Sequence, residues 1–470
     1  MTTLLLLGLI AAVGLAWGLL AVRAWPVTDA RHSGRPLRLL LWAIALTAVA
    51  CSVLMSQGMK VAAQTLTEVA GFAFPAVLLA AIVGTWGIQG RAVYKFIPIA
   101  LLAFSAVIAT SALLNSQIGE VTWAIAVGLL YLPGLTAAIW RTSLSRQNLR
   151  QTVCRIGLSI VWMSLAYTVV DLHHALGDLP RRLMLPGIEF RLAGVTPHPN
   201  GLAFIAALAL FLTMRERRRF WLLHTVACIV ILFLAEARTL TVGLMVALAA
   251  YWIVSARKSR MVRAVNAAAF CAPIAVFLWP SIVSSFEETS LGSDVTTLNS
   301  RTTVWQLVAD NWTQHPVLGW GAFTFDNNTG SPLSALFFNN SHNQFLEALI
   351  EGGLVGLLLI VGVAIVLAWS VLTTRDASYV AVTIMTLFFM MTEVPLTLHN
   401  YGFGFSVVLG SLLLAILIPG PVNYSSPYRA KHAFSGDAPR VRLENVTAPH
   451  RTTGTSHGPP RSVASVASLK

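Results

Sequence analysis

The sequence predicts an all-α, polytopic integral membrane protein with 12 or 13 transmembrane helices and a large outer loop that contains short helices. Hydrophobic residues make up 56% of the 470-residue chain and charged residues only 11%, whereas soluble domains carry roughly 25% charged residues. The apolar residues also form separate runs of about 20, the length that an α-helix needs to cross a bilayer. Composition and run length together exclude an ordinary soluble domain.

The apolar runs follow one another along almost the whole chain. The first has no basic flank and no clean cleavage site, so we interpret it as a span rather than a signal peptide. One of the early runs could be re-entrant, which leaves the count at 12 or 13. The runs lie near 3–22, 37–56, 64–88, 95–115, 121–140, 152–171, 200–214, 219–235, 239–256, 263–283, 344–372, 378–396 and 401–419.

The distribution of Lys and Arg predicts which joins face the cytoplasm. The net charge is +13, and the basic residues cluster at 141–155, 215–219 and 257–263 and at Arg375. Such clusters between apolar runs follow the positive-inside rule, and this pattern argues against nucleic-acid binding. The outer joins are then 172–199, 236–238, 284–343 and 397–400.

Two segments lie outside the spans and their short joins. Residues 420–470 are rich in Pro, Ser, Thr and Gly and predict a disordered, basic cytoplasmic tail behind a membrane domain at 1–419. The outer loop at 284–343 is not of low complexity. Val304, Trp305, Leu307, Val308 and Trp312 recur at helical spacing, so residues 302–312 predict an amphipathic helix, and 315–323 a turn packed beside it. A lid without catalytic content is the alternative for this loop.

Polar residues concentrate at four of the outer joins. They are Arg191, His198 and Asn200 before one span, Glu236 and Arg238 on a short hairpin, Arg301 in the large loop, and His342 with Glu347 and Glu351 at the start of the 344–372 span. Charge at membrane depth is costly and indicates function. A helix N-cap, a local ion pair or an interfacial histidine could each explain one join alone.

Together these residues favour an anionic, phosphorylated ligand. Guanidinium groups bind phosphate through paired hydrogen bonds, and a histidine that titrates near neutral pH can act as a general base. No carboxylate cluster typical of Mg²⁺ or Mn²⁺ is present in the sequence, so charge neutralisation falls to arginine and we expect no metal or cofactor. Gly352, Gly353 and Gly356 indicate close helix packing, which we expect against the elements that carry Arg191 and Arg238.

The order and spacing of these motifs resemble those of a known family. The motifs are Arg191…Gly194…His198-Pro199-Asn200, then Ala237-Arg238-Thr239, Arg301-x-x-x-Trp305, Pro316-x-x-Gly319-x-Gly321, and His342-Asn343 followed by Gly353-x-x-Gly356. In this respect residues 190–360 are similar to the bacterial O-antigen ligase and O-antigen (Wzy-type) polymerase superfamily. One departure is Ala237, where the family often has serine.

The resemblance implies a glycosyltransferase of the bacterial cytoplasmic (inner) membrane with its site on the outer face. Such enzymes transfer a glycan from undecaprenyl pyrophosphate to an acceptor sugar hydroxyl in O-antigen, capsule or exopolysaccharide assembly. His342 is then the general base, and Arg191 and Arg238 hold the pyrophosphate. The residues expected to support substrate binding are Arg301, Asn200, Asn343, Gln344, Glu347, Glu351 and Trp305. The expected partners are the lipid-linked donor, a glycan or lipid acceptor and membrane lipids.

Other functions remain possible at the level of sequence. A transporter or flippase for lipid-linked sugars requires ionisable groups near mid-membrane and paired broken helices, whereas the charges here gather on one face. An acyltransferase also fits an outer histidine, although the chain shows no convincing histidine–carboxylate partner pattern. The sequence leaves open whether the enzyme polymerises repeats or ligates finished chains.

Overall fold

The structure is a computed structural model of the full chain. It describes residues 35–67, 69–70, 92–115, 146–185, 188–216, 220–255, 301–322, 340–374, 376–396 and 405–417, with single residues 73, 135, 324, 325 and 333. The chain divides into two units, Met1–Val422 and Asn423–Lys470, and all the described residues belong to the first. The boundary near 420 and the nature of the tail therefore stay predictions.

Helices dominate the described residues. In chain order they are α1 (Arg35–Ser56), α2 (Ala92–Leu114), α3 (Arg146–Val170), α4 (Leu172–Ala175), α5 (Pro199–Glu216), α6 (Trp221–Ala235), α7 (Arg238–Ser255), α8 (Arg301–Trp312), α9 (Gln344–Thr373), α10 (Ala377–Thr392) and α11 (Phe405–Leu417). Residues 60–67, after α1, are also helical. The predicted loop helix is confirmed as α8.

The helices confirm an all-α membrane protein. In the part of the chain that the structure describes, three helices are long and apolar enough to cross a membrane: Leu37–Ser56, Gln147–Val170 and Gln344–Thr373. Shorter apolar helices lie at Ile99–Leu114, Trp221–Ala235, Leu240–Ser255 and Ala377–Thr392. The predicted spans at 3–22, 121–140 and 263–283, and most of 64–88, lie outside the described residues, so the count of 12 or 13 stays a prediction.

Helix α5 forms the centre of the described bundle. Its residues from Leu202 to Leu212 are each at most 4% exposed, as expected for a helix that is apolar on every side. The helices α3, α6 and α10 pack around it. On one side, Phe204 of α5 meets Phe389 of α10 with ring centroids 4.4 Å apart. This rigid core fixes the first residues of α5, where Asn200 lies.

One element departs from the all-α prediction. The join at 172–199 contains an antiparallel hairpin of β1 (Leu176–Leu185) and β2 (Ile188–Leu192), with Leu176 opposite Leu192 and Leu185 opposite Ile188. A Pro-Gly pair, typical of turns, separates the two strands in sequence. Leu192 is buried while Phe190 is 41% exposed. The hairpin thus anchors the strand on which Arg191 lies.

Helix α9 is interrupted at Gly353, which has φ 60° and ψ −157°. In a regular helix the amides of Leu354 and Val355 would donate to the carbonyls of Ile350 and Glu351. Here these amides and carbonyls bond instead to the 316–321 segment, which lies beside the break. Leu354 N donates to Pro316 O (2.9 Å) and Val355 N to Val317 O (3.3 Å), while Trp320 N donates to Ile350 O (2.8 Å) and Gly321 N to Glu351 O (2.9 Å).

The glycines around this break pack differently from the prediction. A Cβ on Gly352 would lie 3.2 Å from the Phe104 ring of α2, and one on Gly356 would lie 3.0 Å from it. A Cβ on Gly353 would collide with the backbone of Val317. Close packing is confirmed, but the expectation that these glycines face the elements carrying Arg191 and Arg238 is wrong. The glycine positions accommodate α2 and the 316–321 segment instead.

Candidate active site

His342 lies in a short turn that leads into α9. Its backbone has a positive φ of 52°, which is uncommon for a residue other than glycine. Hydrogen bonds on both sides hold this conformation. His342 N donates to Asn340 Oδ1 (2.8 Å), and the preceding Ser341 donates its amide to Glu347 Oε2 (2.7 Å). The Trp305 indole of α8 donates to Ser341 O at 2.9 Å. The loop helix and α9 therefore position the imidazole jointly.

Asn343 is the N-cap of α9. Its Oδ1 accepts from the amides of Phe345 (2.9 Å) and Leu346 (3.2 Å), which would otherwise lack partners at the helix start. Its Nδ2 donates to Met391 O at 3.1 Å. The next residue, Gln344, accepts from Leu396 N at 2.7 Å. Both side chains tie the start of α9 to the end of α10.

Glu393, the residue after α10, joins the predicted site residues. Its Oε1 accepts from Asn200 Nδ2 (2.7 Å) and from Arg301 Nη2 (2.6 Å). Its Oε2 lies 3.4 Å from His342 Nδ1. Residues that are separated by up to about 190 positions in the chain therefore meet at one carboxylate.

Arg191 extends this network to the hairpin between α6 and α7. Its Nη2 donates to Asn200 Oδ1 at 2.7 Å, and its Nε donates to Ala235 O, the last residue of α6, at 2.8 Å. His198 adds a further imidazole, because its Nδ1 accepts the amide of Asn200 at 3.1 Å. Among the described side chains, the site thus contains two guanidinium groups and two imidazoles around one carboxylate.

The electrostatics keep Glu393 ionised. Burial raises the pKa of its carboxyl, but the hydrogen bond with His342 and the positive charge of Arg301 outweigh this effect and lower the pKa to about 2. For His198, burial lowers the pKa below the usual 6.5, and the charge of Glu393 only partly opposes it. His198 is therefore held neutral beside an ionised carboxylate.

The structure brings together Arg191, Asn200, Arg301 and His342, four of the polar residues that the sequence indicates as a site. Arg238 begins α7, three residues after the carbonyl that Arg191 contacts, but its side chain lies outside the described residues. Asn343, Gln344, Glu347 and Glu351 are each at most 2% exposed. They lie beneath the His342 turn and in the first turns of α9, and their role in substrate binding stays a prediction, as does that of Trp305.

Glu393 is the site residue that sequence reasoning missed. The sequence predicts one span over 378–396, whereas α10 ends at Thr392. A signal was present, because Glu393 is the sole acidic residue of that run and precedes Val394-Pro395. An acidic residue within a predicted span indicates function, and proline two positions later disfavours a continuing helix.

The fold and site define a class: a polytopic membrane protein with an Arg–His–Glu cluster at one end of its helices. Residues 223–361 match the family model described as O-antigen ligase. The match supports membership of the O-antigen ligase superfamily and confirms the resemblance that the motifs indicated. It also supports glycan transfer of the ligase or polymerase type in general. No curated protein is significantly similar to the chain.

The matched segment contains Arg238, Arg301 and His342 but neither Arg191 and Asn200 before it nor Glu393 after it. Arg301 and His342 of the segment contact Glu393, which also accepts from Asn200, so the candidate site extends beyond the matched region on both sides.

Proposed function

We propose that the protein transfers a glycan from an undecaprenyl-pyrophosphate-linked donor to an acceptor sugar hydroxyl, without a metal or cofactor. The observation that carries this proposal is the network in which Glu393 joins Asn200, Arg301 and His342, with Arg191 bound to Asn200. It combines a candidate base with guanidinium groups suited to a diphosphate.

The orientation of His342 suits proton abstraction. An ionised carboxylate only accepts hydrogen bonds, so the Nδ1 that faces Glu393 carries the proton and Nε2 keeps its lone pair. Nε2 takes the proton of the acceptor hydroxyl while the acceptor oxygen bonds to the anomeric carbon. The bond between that carbon and the pyrophosphate oxygen breaks, and the electron pair leaves with pyrophosphate. Glu393 stabilises the imidazolium that forms.

The arginines act on the leaving group. Negative charge grows on the pyrophosphate as its bond to the sugar breaks, and fixed cations stabilise that charge more in the transition state than in the bound donor. Arg191 and Arg238 supply these cations. Arg301 is held by Glu393 at 2.6 Å, so it supports the site and sets its charge. No nucleotide sugar is needed, because the pyrophosphate of the lipid carrier already activates the glycan for transfer.

We place the site on the outer face of the bacterial inner membrane. The opposite end of the bundle carries Arg150 and Arg215, which both pair with Asp376 at the start of α10. This is the end that the positive-inside rule assigns to the cytoplasm. The donor lipid then reaches the site from the outer leaflet, where surface polysaccharides are assembled.

The test is transfer by purified protein in lipid vesicles with a lipid-linked glycan donor. His342→Ala should lower the rate by about 10²–10⁴-fold, the contribution of a positioned general base. His173→Ala, which changes a histidine outside the network, is the matched control and should retain activity. Undiminished transfer by His342→Ala would exclude the general-base role. In a deletion strain, unextended single repeats would indicate a polymerase, and finished chains left on the carrier would indicate a ligase.

One observation bears on the transporter or flippase alternative. A broken helix, such as α9 at Gly353, is a feature of many transporters. In this protein, however, the backbone groups freed at the break bond to the 316–321 segment, so packing accounts for the break without a transported ion. Movement of a lipid-linked sugar across vesicles without any covalent product would favour the alternative.

A further inference from the structure

His198 belongs to the candidate site, but the reaction proposed above gives it no role. It lies just before α5, between Pro197 and Pro199, which restrict the backbone on both sides. Its carbonyl accepts from the amides of Gly201 (3.1 Å) and Leu202 (3.3 Å) and so joins the first turn of the helix. The residue is half-buried. An imidazole that is held this firmly inside a candidate site needs an explanation.

The ring of His198 is held in one tautomer. Its Nδ1 accepts the backbone amide of Asn200 at 3.1 Å. Because an amide N–H can only donate, the proton of the neutral imidazole lies on Nε2. Burial lowers the pKa of His198 below 6.5; the charge of Glu393 partly opposes this, and the charges of Arg191 and Arg301 reinforce it. Within the described part of the chain the ring makes no hydrogen bond besides the one to Asn200, so Nε2–H is available to a ligand.

The two imidazoles of the site are therefore in opposite tautomers. His342 directs Nδ1 to Glu393 Oε2 at 3.4 Å, so its Nε2 has a lone pair and can take a proton. His198 has its proton on Nε2 and can donate a hydrogen bond there. Groups that are held in different proton states within one site are suited to different steps of a reaction. A neutral His198 also leaves the Glu393 carboxylate to His342 and Arg301.

The charges of the reaction decide which ligand atom His198 contacts. The acceptor oxygen must attack, and a hydrogen bond donated to it would make it a weaker nucleophile. The pyrophosphate oxygens gain negative charge, and a fixed donor stabilises that charge. The position agrees, because Asn200, whose amide holds the His198 ring, also accepts from Arg191 Nη2 at 2.7 Å. One residue thus orients both His198 and a guanidinium group assigned to the pyrophosphate.

We propose that His198 is a catalytic residue that donates its Nε2–H to a pyrophosphate oxygen of the glycan donor. The proposal rests on the proposed function. The proton stays on His198, and the hydrogen bond strengthens as the bond from the anomeric carbon to the pyrophosphate oxygen breaks and the electron pair moves to that oxygen. The proton of the acceptor hydroxyl goes to His342. The released undecaprenyl pyrophosphate carries the full charge, so His198 also contributes to its affinity.

Two substitutions separate the Nε2 donor from the bond that holds the ring. His198→Asn keeps an acceptor for the Asn200 amide but has no group at the position of Nε2, whereas His198→Gln places an amide N–H near that position. Turnover in vesicles should fall about 10²-fold in His198→Asn, the cost of losing one donor to a developing negative charge. His198→Gln should recover part of this loss. His173→Asn, the same change in a histidine outside the site, is the matched control and should retain turnover.

Binding of the released carrier lipid gives a readout that does not depend on turnover. His198→Asn should weaken binding of undecaprenyl pyrophosphate to the purified protein about tenfold, the effect of one hydrogen bond to a charged group. Binding of undecaprenol, which has the same chain and no phosphate, should not change. Thermal unfolding at pH 7 identifies any variant that is misfolded.

Two results would overturn the proposal. The first is wild-type turnover and wild-type affinity for undecaprenyl pyrophosphate in His198→Asn. The second is an equal loss of turnover in the Asn and Gln variants together with weaker binding of undecaprenol, which would show that His198 is structural. If the wild type transfers glycan in either case, the proposed function stands and only the role of His198 is refuted. A wild type that neither transfers glycan nor binds undecaprenyl pyrophosphate would refute both.

Discussion

At the scale of single residues, Glu393 determines the charge state of the site. Asn200, Arg301 and His342 all contact its carboxylate, and its pKa is lowered to about 2. A depressed carboxyl pKa contributes stability that is present above the unfolded value of 4.5 and is lost as the pH falls toward 2. Glu393 therefore stays ionised at every pH at which transfer would be assayed, and an acid limb in the activity must come from another group.

We predict that Glu393→Gln impairs catalysis more than folding. The amide retains the shape of the carboxyl and one acceptor, but it removes the charge that stabilises the His342 imidazolium and pairs with Arg301. The turnover rate in vesicles should fall by about 10²-fold or more, within the range that a positioned base contributes. Glu393→Ala should also destabilise the protein, because removing one partner of a buried pair costs about 3–5 kcal/mol.

The control for this prediction is Asp310→Asn, which neutralises an exposed carboxylate of α8 outside the Glu393 network. It should retain turnover within a few-fold of the wild type if only the Glu393 charge matters. Equal turnover by Glu393→Gln and the wild type would show that the carboxylate is structural and does not assist His342.

His198 predicts a pH dependence of stability. Burial lowers its pKa below 6.5, so the unfolded state binds this proton more readily than the folded state. The stability contribution is complete above 6.5 and is lost as the pH falls below that value toward the folded pKa. His198→Asn keeps an acceptor for Asn200 N but cannot titrate. Its Tm should fall less than that of the wild type between about pH 7 and pH 5.

Thermal unfolding in detergent at fixed ionic strength measures this difference. His173→Asn, a histidine at the α4 turn, corrects for the general loss of stability in acid. Parallel Tm curves for the wild type and His198→Asn would show that His198 does not titrate differently in the folded state.

At the scale of elements, the backbone hydrogen bonds between the 316–321 segment and the broken helix α9 explain two of the glycine motifs. Gly319 has φ 71°, and a Cβ there would lie 2.5 Å from Gly353 N. The Pro316…Gly321 motif and the Gly353…Gly356 motif are therefore the two sides of one contact. Ser111 Oγ of α2 and Asn115 Nδ2 of the residue that follows α2 donate to the carbonyl of Gly319 and fix the segment from the other side.

We predict that Gly353→Ala destabilises the protein strongly. The backbone region around φ 60° and ψ −157° is essentially restricted to glycine and costs other residues about 1–3 kcal/mol, and the new methyl would collide with the Val317 backbone. Gly352→Ala is the matched control, because it meets the edge of the Phe104 ring at 3.2 Å, which can shift. Thermal unfolding should show a much larger loss for Gly353→Ala. Equal losses would contradict the proposed role of the break.

The elements show which structural features a sequence can predict. The spacing of Val304 and Val308 was sufficient to predict α8, because the buried face of a helix is visible as a periodic pattern in its own sequence. Both residues are fully buried. The break in α9 was not predictable, since it depends on backbone bonds to residues 30 to 38 positions away. The partners of Glu393 were not predictable for the same reason, although its own position within an apolar run was a signal. Asn200 and Arg301 reach it only because α5 and α8 begin where α10 ends.

At the scale of the whole molecule, the charged groups separate to the two ends of the bundle. Arg191, Arg301, His342 and Glu393 lie at one end, and the pairs of Asp376 with Arg150 and Arg215 lie at the other. The helix α5 connects them, because it begins beside Asn200 and ends at Glu216. If the site faces outward, these ends must differ in accessibility from outside the cell.

Single cysteines test this arrangement. Pro197, in the loop before α5, and Gln147, at the start of α3, are both exposed. The described native cysteines Cys51, Cys154 and Cys228 are buried, and Cys271 can be replaced by alanine in the background. In right-side-out vesicles, a membrane-impermeant maleimide should label Pro197→Cys within minutes and leave Gln147→Cys unlabelled until the membrane is permeabilised. The reverse pattern would place the site on the cytoplasmic side, where no outer-leaflet donor could reach it, and would refute the proposed reaction.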